Sequence, residues 1–513
     1  MMSDEALMTD YNKLLDKSKQ VLILQSTQSM VSWDMETKMP PKGISLRSQQ
    51  LALLSQIEHR MVTDPEIGSL LKRVQEHRNY EAMHDLQKRN VYLIKKQYEE
   101  QTSLPETLVV ETAKQQAIAI DTWKKAKKAK DFSMFKPELQ KILDLKKQAA
   151  EILMKVKNTV TPYDALIDIY EPKMSSEAVA TIFDELRRHL ISIIDKCLAS
   201  RKQPDISILR KKVPIEIQTE ISNSITRFIG YDVESKNAGG RIDETEHPFT
   251  TGYYDDVRIT THYHKENVAA SLFSVLHEGG HAIYEQNLRQ EWMYQPIGAS
   301  CSYGFHESQS RFVENMIGRS PEFWRYYFPK FRSITRGAFS AVRAADFMRA
   351  INHVKPSKIR IQADEVTYAL HIIIRFEMER DMFSGKIAVE ELPEIWNEKY
   401  ENYLGVKIED DAEGVMQDTH WASGLFGYFP SYALGNIYGG QLLTAMEKDM
   451  PSWRKHLAKG DFKSVKKWLI KNVYSYGNLY DPEDLLGKIT GQKINVKNYI
   501  GYLEDKFSEL YGY

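Results

Sequence analysis

The chain of 513 residues has only two cysteines, Cys197 and Cys301, so no disulfide framework holds it together. Both read as small buried hydrophobes in a reducing compartment. No run of about 18 uncharged apolar residues occurs, which excludes a membrane-spanning helix. The start, MMSDEALMTDYNKLLDK, is acidic and amphipathic. It lacks the basic start and apolar run of a secretory signal, so the expected location is the cytoplasm. Neither sign of charge is in excess: 69 Lys and Arg stand against 70 Asp and Glu. A protein that binds nucleic acid by counterion release normally carries a basic excess, so none is expected as a partner. Proline (18) and glycine (26) are sparse, which excludes collagen-like and low-complexity chains. No fixed-period repeat marks a solenoid.

What is present is helix. Apolar residues recur at three-to-four spacing over 5–30, 45–155, 176–200, 216–229, 266–288, 306–318, 321–353, 364–384 and 462–472. Residues 230–264 differ: Gly239, Gly240, Pro248 and Gly252 mark a long loop. It ends in a β-branched, alternating stretch, 257–264, that predicts a short strand. No Gly/Ser linker divides the chain, so the expectation is one mainly α domain over 1–513 with a small sheet near its middle. The run Lys124-Lys125-Ala126-Lys127-Lys128-Ala129-Lys130 lacks interleaved aromatics and reads as a solvated helix face rather than a nucleic-acid contact.

Six of the 14 histidines (His247, His262, His264, His277, His281 and His306) lie within sixty residues. His277-Glu278-Gly279-Gly280-His281 gives the cluster a chemistry. On a helix capped at Asn267, His277 and His281 share one face and can reach one metal ion. Glu278, rotated about 100°, stands beside the metal, placed to take a proton from an attacking water. Two helix-interior glycines each cost about 1 kcal/mol relative to Ala, so a substrate or another backbone must approach closely there. A catalytic zinc site takes three protein ligands. Glu307, in Phe305-His306-Glu307-Ser308-Gln309, is the best third candidate; His306 is a rival and Glu314 a weaker one.

HEGGH followed by HESQ resembles the carboxypeptidase Taq family of metallocarboxypeptidases. Further matches run along most of the chain: Trp33–Pro40 as an N-terminal signature, His247-Pro248-Phe249 as HPF, and Asp256–Thr260 as DxRxT. Ile359–Asp364 matches IRxxAD and Gly414–Trp421 matches GxxQDxHW. HExxH alone is common to many peptidases; the ordered set is far more specific. The resemblance implies a large, mainly helical peptidase fold with a deep substrate groove and a small sheet beside the metal site, similar to neurolysin-type peptidases. It implies His277, His281 and Glu307 as ligands of one divalent ion, zinc with cobalt possible, and Glu278 as the catalytic base. It implies release of single residues from free peptide C-termini with broad preference, and a homodimer.

An enzyme that cuts at a free C-terminus must recognise a carboxylate, which an arginine fork does best. The resemblance implicates Arg360 and, at the same substrate end, His420. On its own, Arg360 would read as a surface salt bridge. Arg258 is an alternative that could instead brace the loop, and Tyr428 and Tyr432 could donate to an oxyanion or simply pack. The alternation over 257–264 further suggests an edge strand to which a peptide could add. The competing functional readings are an oligopeptidase or dipeptidyl carboxypeptidase, and a scaffold with an idle metal site.

Overall fold

The computed structural model describes residues 4–513. The first helix, Asp4–Thr37, is followed by Ile44–Val62, Pro65–Gln75 and Asp85–Ser103. Its first half buries Leu7, Tyr11 and Leu14 against Ile67, Leu70, Val74, Val91 and Ile94, a small core of its own. The helices Glu106–Ala129 and Phe132–Lys157 form a hairpin. Lys130 turns it in the left-handed region, at φ 59°, and the Asp131 side chain caps the second helix. Every later α-helix contributes to one large core running from Ala119 to Tyr511. Helix starts follow local chemistry: Thr161 and Asp164 form a reciprocal cap with Pro162 in the first turn, and Ser175, Asn267, Ser302 and Ser320 each accept a backbone N–H.

The stretch read as loop and one strand is a three-stranded sheet: β1 (Gly240–Glu244), β2 (Thr250–Tyr253) and β3 (Asp256–Thr261). Its order is β1-β3-β2, with β1 parallel and β2 antiparallel to β3. The predicted strand is therefore the central one, paired on both sides, and the edge-strand expectation is corrected: no peptide can add to it. Val257 and Ile259 face the core as the alternation requires. The other face is covered by Trp33, whose ring lies between the guanidinium carbons of Arg241 (4.7 Å) and Arg258 (4.3 Å). Arg258, which also pairs with Asp256, thus braces the first helix on the sheet.

The helix expected over 321–353 breaks into Pro321–Ile334 and Ala344–Ile351, with Arg336 and Gly337 both at positive φ between them. Both cysteines are buried and free, as expected. No helix among the described residues is long and apolar enough to cross a membrane.

Candidate active site

Two helices bring three donors together. Val268–Glu285, capped by the Asn267 side chain, carries His277 and His281 one turn apart. Tyr303–Arg311, capped by the Ser302 hydroxyl, carries Glu307. The helices meet at Gly280, where a Cβ would stand 2.7 Å from both Gln309 O and Ser310 Cα. This close approach is what an interior glycine permits. It leaves Glu307 Oε2 3.8 Å from His277 Nε2 and 3.4 Å from His281 Nε2. One ligand atom from each residue lies within 4.8 Å of the others. The His277 and His281 side chains keep 18% and 15% exposure, so solvent and substrate can reach them.

Each donor is held from behind. His277 Nδ1 stands 3.0 Å from Glu314 Oε2, in a π-helical turn at Phe312–Ile317. His281 Nδ1 stands 2.5 Å from His306 Nδ1, and His306 Nε2 stands 2.8 Å from Glu285 Oε1. Arg311 Nε donates to Glu307 Oε1 at 2.7 Å. The rivals His306 and Glu314 therefore lie behind the cluster, not in it. If both Nδ1 atoms carry the proton, both Nε2 lone pairs face Glu307.

The electrostatics fit a cation. Burial, with His306 next to it, lowers His281 to about 3, so its imidazole is neutral. Burial would raise Glu307, but Arg311 and the two histidines hold it below the carboxylate range. Burial opposes charge on His277, yet Glu307 and Glu314 outweigh it and raise its pKa. The carboxylates thus favour a positive charge at this point, which a divalent ion would supply. Two imidazole nitrogens and one carboxylate oxygen are the donor set of a catalytic zinc-type site.

Glu278 is buried beside the cluster, where Thr250 Oγ1, from β2, donates to its Oε2 at 2.6 Å. Burial pushes its carboxyl above the usual range.

A second charged group lies across Tyr368. Arg360 is buried, not at the surface. Its Nη2 donates to Asp418 Oδ1 at 2.8 Å and its Nη1 to Tyr368 Oη at 3.2 Å. Arg375 Nε donates to Asp418 Oδ2 at 2.7 Å. Two guanidiniums share one carboxylate, leaving one net positive charge. Arg311 stacks on the Tyr368 ring at 4.2 Å, so Glu307, Arg311, Tyr368 and Arg360 form a continuous wall. His420 packs its ring 4.4 Å from Phe429, and its Nδ1 has no partner among the described residues. Burial, then Arg360, lowers His420 to about 3, so it is a neutral group. Tyr428 and Tyr432 pack edge to face beside it, at 5.2 Å.

The family description carboxypeptidase Taq (M32) metallopeptidase matches residues 13–507. Thermostable carboxypeptidase 1 of Thermus thermophilus is 38% identical over 509 residues, 98% of this chain and 99% of that protein. Carboxypeptidase 1 of Bacillus subtilis is 39% identical over 503 residues, 97% of this chain and 98% of that protein. The crystal structure of the M32 carboxypeptidase from Deinococcus radiodurans superposes with a TM-score of 0.94 at 34% identity, covering 98% of this chain and 100% of that one. This chain belongs to the M32 family. It is a metal-dependent carboxypeptidase, an enzyme that hydrolyses peptides.

Sequence reasoning did not reach several groups of this M32 site. Glu285, Thr250 and Arg375 touch its residues only through the tertiary fold, whereas Arg311 lies one helical turn after Glu307, and that spacing was its available signal. Asp418 was in view, inside GxxQDxHW, and so was Arg360, but their pairing, shared with Arg375, was not.

Proposed function

We propose that this M32 enzyme releases single residues from free peptide C-termini with broad preference. His277, His281 and Glu307 hold one divalent ion, zinc with cobalt as the alternative, since two nitrogens and one oxygen suit either. The reading rests on the wall that joins the donor cluster to the buried Arg360 guanidinium.

When bound, the ion acts as a Lewis acid that activates water and polarises the scissile carbonyl. The protein moves the proton. Thr250 holds Glu278 Oε2, so Oε1 takes the proton of the attacking water and returns it to the leaving amine. Glu314 and the His306–Glu285 pair keep both Nδ1 atoms protonated, so each Nε2 remains a ligand atom. The excess positive charge of Arg360, Asp418 and Arg375 meets the terminal carboxylate through charge-assisted hydrogen bonds. His420, being neutral, adds an N–H there and no charge. Cleavage then falls one residue from the end.

The test compares a free peptide with its C-terminally amidated twin, using metal-loaded enzyme and mass spectrometry of products. Stepwise loss of single residues from the free peptide alone is the expected result. Two-residue or internal cuts, or equal cleavage of both, would assign a dipeptidyl carboxypeptidase or oligopeptidase and release Arg360 from its role.

The same reading makes 1–513 one catalytic unit, working in the cytoplasm as a homodimer. Two buried free thiols suit a reducing compartment. Sedimentation of the full chain at micromolar concentration measures the dimer directly.

A further inference from the structure

The basic run at 124–130 has a use that its composition did not suggest. Lys124, Lys125 and Lys128 are exposed, as a solvated face should be, but Lys127 is half-buried. Its Nζ donates to the Gln417 carbonyl at 2.8 Å and lies 4.8 Å from the centre of the Trp123 ring. Trp123 Nε1 donates to the Met416 carbonyl at 2.9 Å. About two turns before it, Gln116 Nε2 donates to the Ser423 carbonyl at 2.8 Å. Positions 116, 123 and 127 fall on one stripe of the Glu106–Ala129 helix. Three donors from that stripe thus grip the backbone on both sides of Asp418 and His420.

We infer that Lys127 and Trp123 are positioning residues of the substrate-carboxylate site, fixing the 416–423 segment so that Asp418 aims Arg360. This rests on the reading of Arg360 above. The chain of contacts is short: Lys127 holds the carbonyl of Gln417, Gln417 Oε1 accepts the Arg360 N–H, and Asp418 takes the Arg360 guanidinium. Burial lowers the Lys127 pKa and Asp418 partly offsets this, so Lys127 also contributes to the cationic surroundings of that carboxylate. The contact is to backbone, so what it fixes is the path of the segment, and with it the direction of the Arg360 fork. A loosened anchor should weaken binding of the terminal carboxylate while leaving the metal cluster and Glu278 untouched.

The experiment measures kcat, KM and metal content for full-length Lys127→Met, Lys127→Arg, Trp123→Phe and Arg360→Ala, and for the double variant Lys127→Met/Arg360→Ala, on a free-C-terminus peptide. Misplacement of a positioning group can cost up to about a hundredfold; for Lys127→Met we expect KM to rise about tenfold. kcat should change by less than about threefold and bound metal should not change. Lys127→Arg should recover most of the loss, and Trp123→Phe should show the same KM-selective pattern if Lys127→Met fails to fold. In the Arg360→Ala background, Lys127→Met should add little, because the group it positions is gone. Parent-like KM in both Lys127→Met and Trp123→Phe would overturn the inference, provided Arg360→Ala raises KM. Full additivity in the double variant would overturn it as well. If Arg360→Ala itself leaves KM unchanged, the carboxylate reading fails first, and this inference with it.

Discussion

Glu314 Oε2 stands 3.0 Å from His277 Nδ1, at the ring nitrogen remote from Glu307. Arg319 Nη2 in turn donates to Glu314 Oε1 at 2.9 Å. The carboxylate is therefore anchored before it orients the histidine. Removing it should leave His277 free to rotate and to protonate the wrong nitrogen. Glu314→Ala is expected to weaken metal binding by about 10- to 100-fold, measured by competition with a chromogenic chelator. An unchanged affinity would show that packing alone sets the tautomer.

Glu278 differs from the ligands in what its loss should do. Thr250 holds its Oε2, and it is not one of the three donors, so Glu278→Gln should retain the metal. Turnover should fall by about 10²- to 10⁴-fold, the usual contribution of general acid–base catalysis. Metal content by mass spectrometry and kcat on one peptide decide it. A metal-loaded Glu278→Gln enzyme with parent-like kcat would exclude the residue as the base.

Two buried carboxyls give the fold a pH dependence. Glu379 accepts from Tyr163 Oη, Trp421 Nε1 and the Gly427 N–H, all at 2.8 Å, and so pins the segment that carries His420. Burial outweighs these bonds and raises its pKa from 4.5 to about 7. Glu171, at the start of the Glu307 helix, is raised to about 7 for the same reason. At these two groups the folded chain holds more protons than the unfolded chain between about pH 5 and 7, so their contribution to stability falls as pH rises. The buried neutral His281, His371 and His420 act in the opposite sense below about 6.5. Urea midpoints measured across that range should show the parent losing stability relative to Glu379→Gln as pH rises, since the histidines are common to both. Parallel curves would show that Glu379 titrates at an ordinary value.

The donor pair was legible because it depends only on helical spacing, and Asn267 marks where that helix starts. Glu307 could be proposed but not separated from His306 by spacing; the packing at Gly280 separates them, turning Glu307 toward the histidines and His306 behind them. The sheet was missed in part because β1 and β2 are four or five residues long and contain Gly240 and Gly252, which read as loop. The helix Pro430–Asp449 was missed for the opposite reason: it is buried on nearly all sides, so no polar stripe marks its period. Its Gly435 lies against Glu307, where a Cβ would come within 2.8 Å of that residue's Cβ and Cγ. That contact joins residues far apart in the sequence, and no local pattern encodes it.

The two glycines of HEGGH make opposite predictions. At Gly280 a methyl would meet backbone, Gln309 O and Ser310 Cα, which cannot move without carrying Glu307 away from the histidines. At Gly279 it would meet only the end of the Ile229 side chain, which can rotate. Gly280→Ala should therefore cost about 1–3 kcal/mol in overpacking. The stabilisation gained on adding metal should also shrink. Gly279→Ala should be near neutral, since the helical preference for Ala, about 1 kcal/mol, offsets a soft clash. Thermal unfolding of both variants with and without metal separates the cases. If Gly280→Ala gained as much from metal as the parent, the spacing of the two helices would not be what sets the ligand geometry.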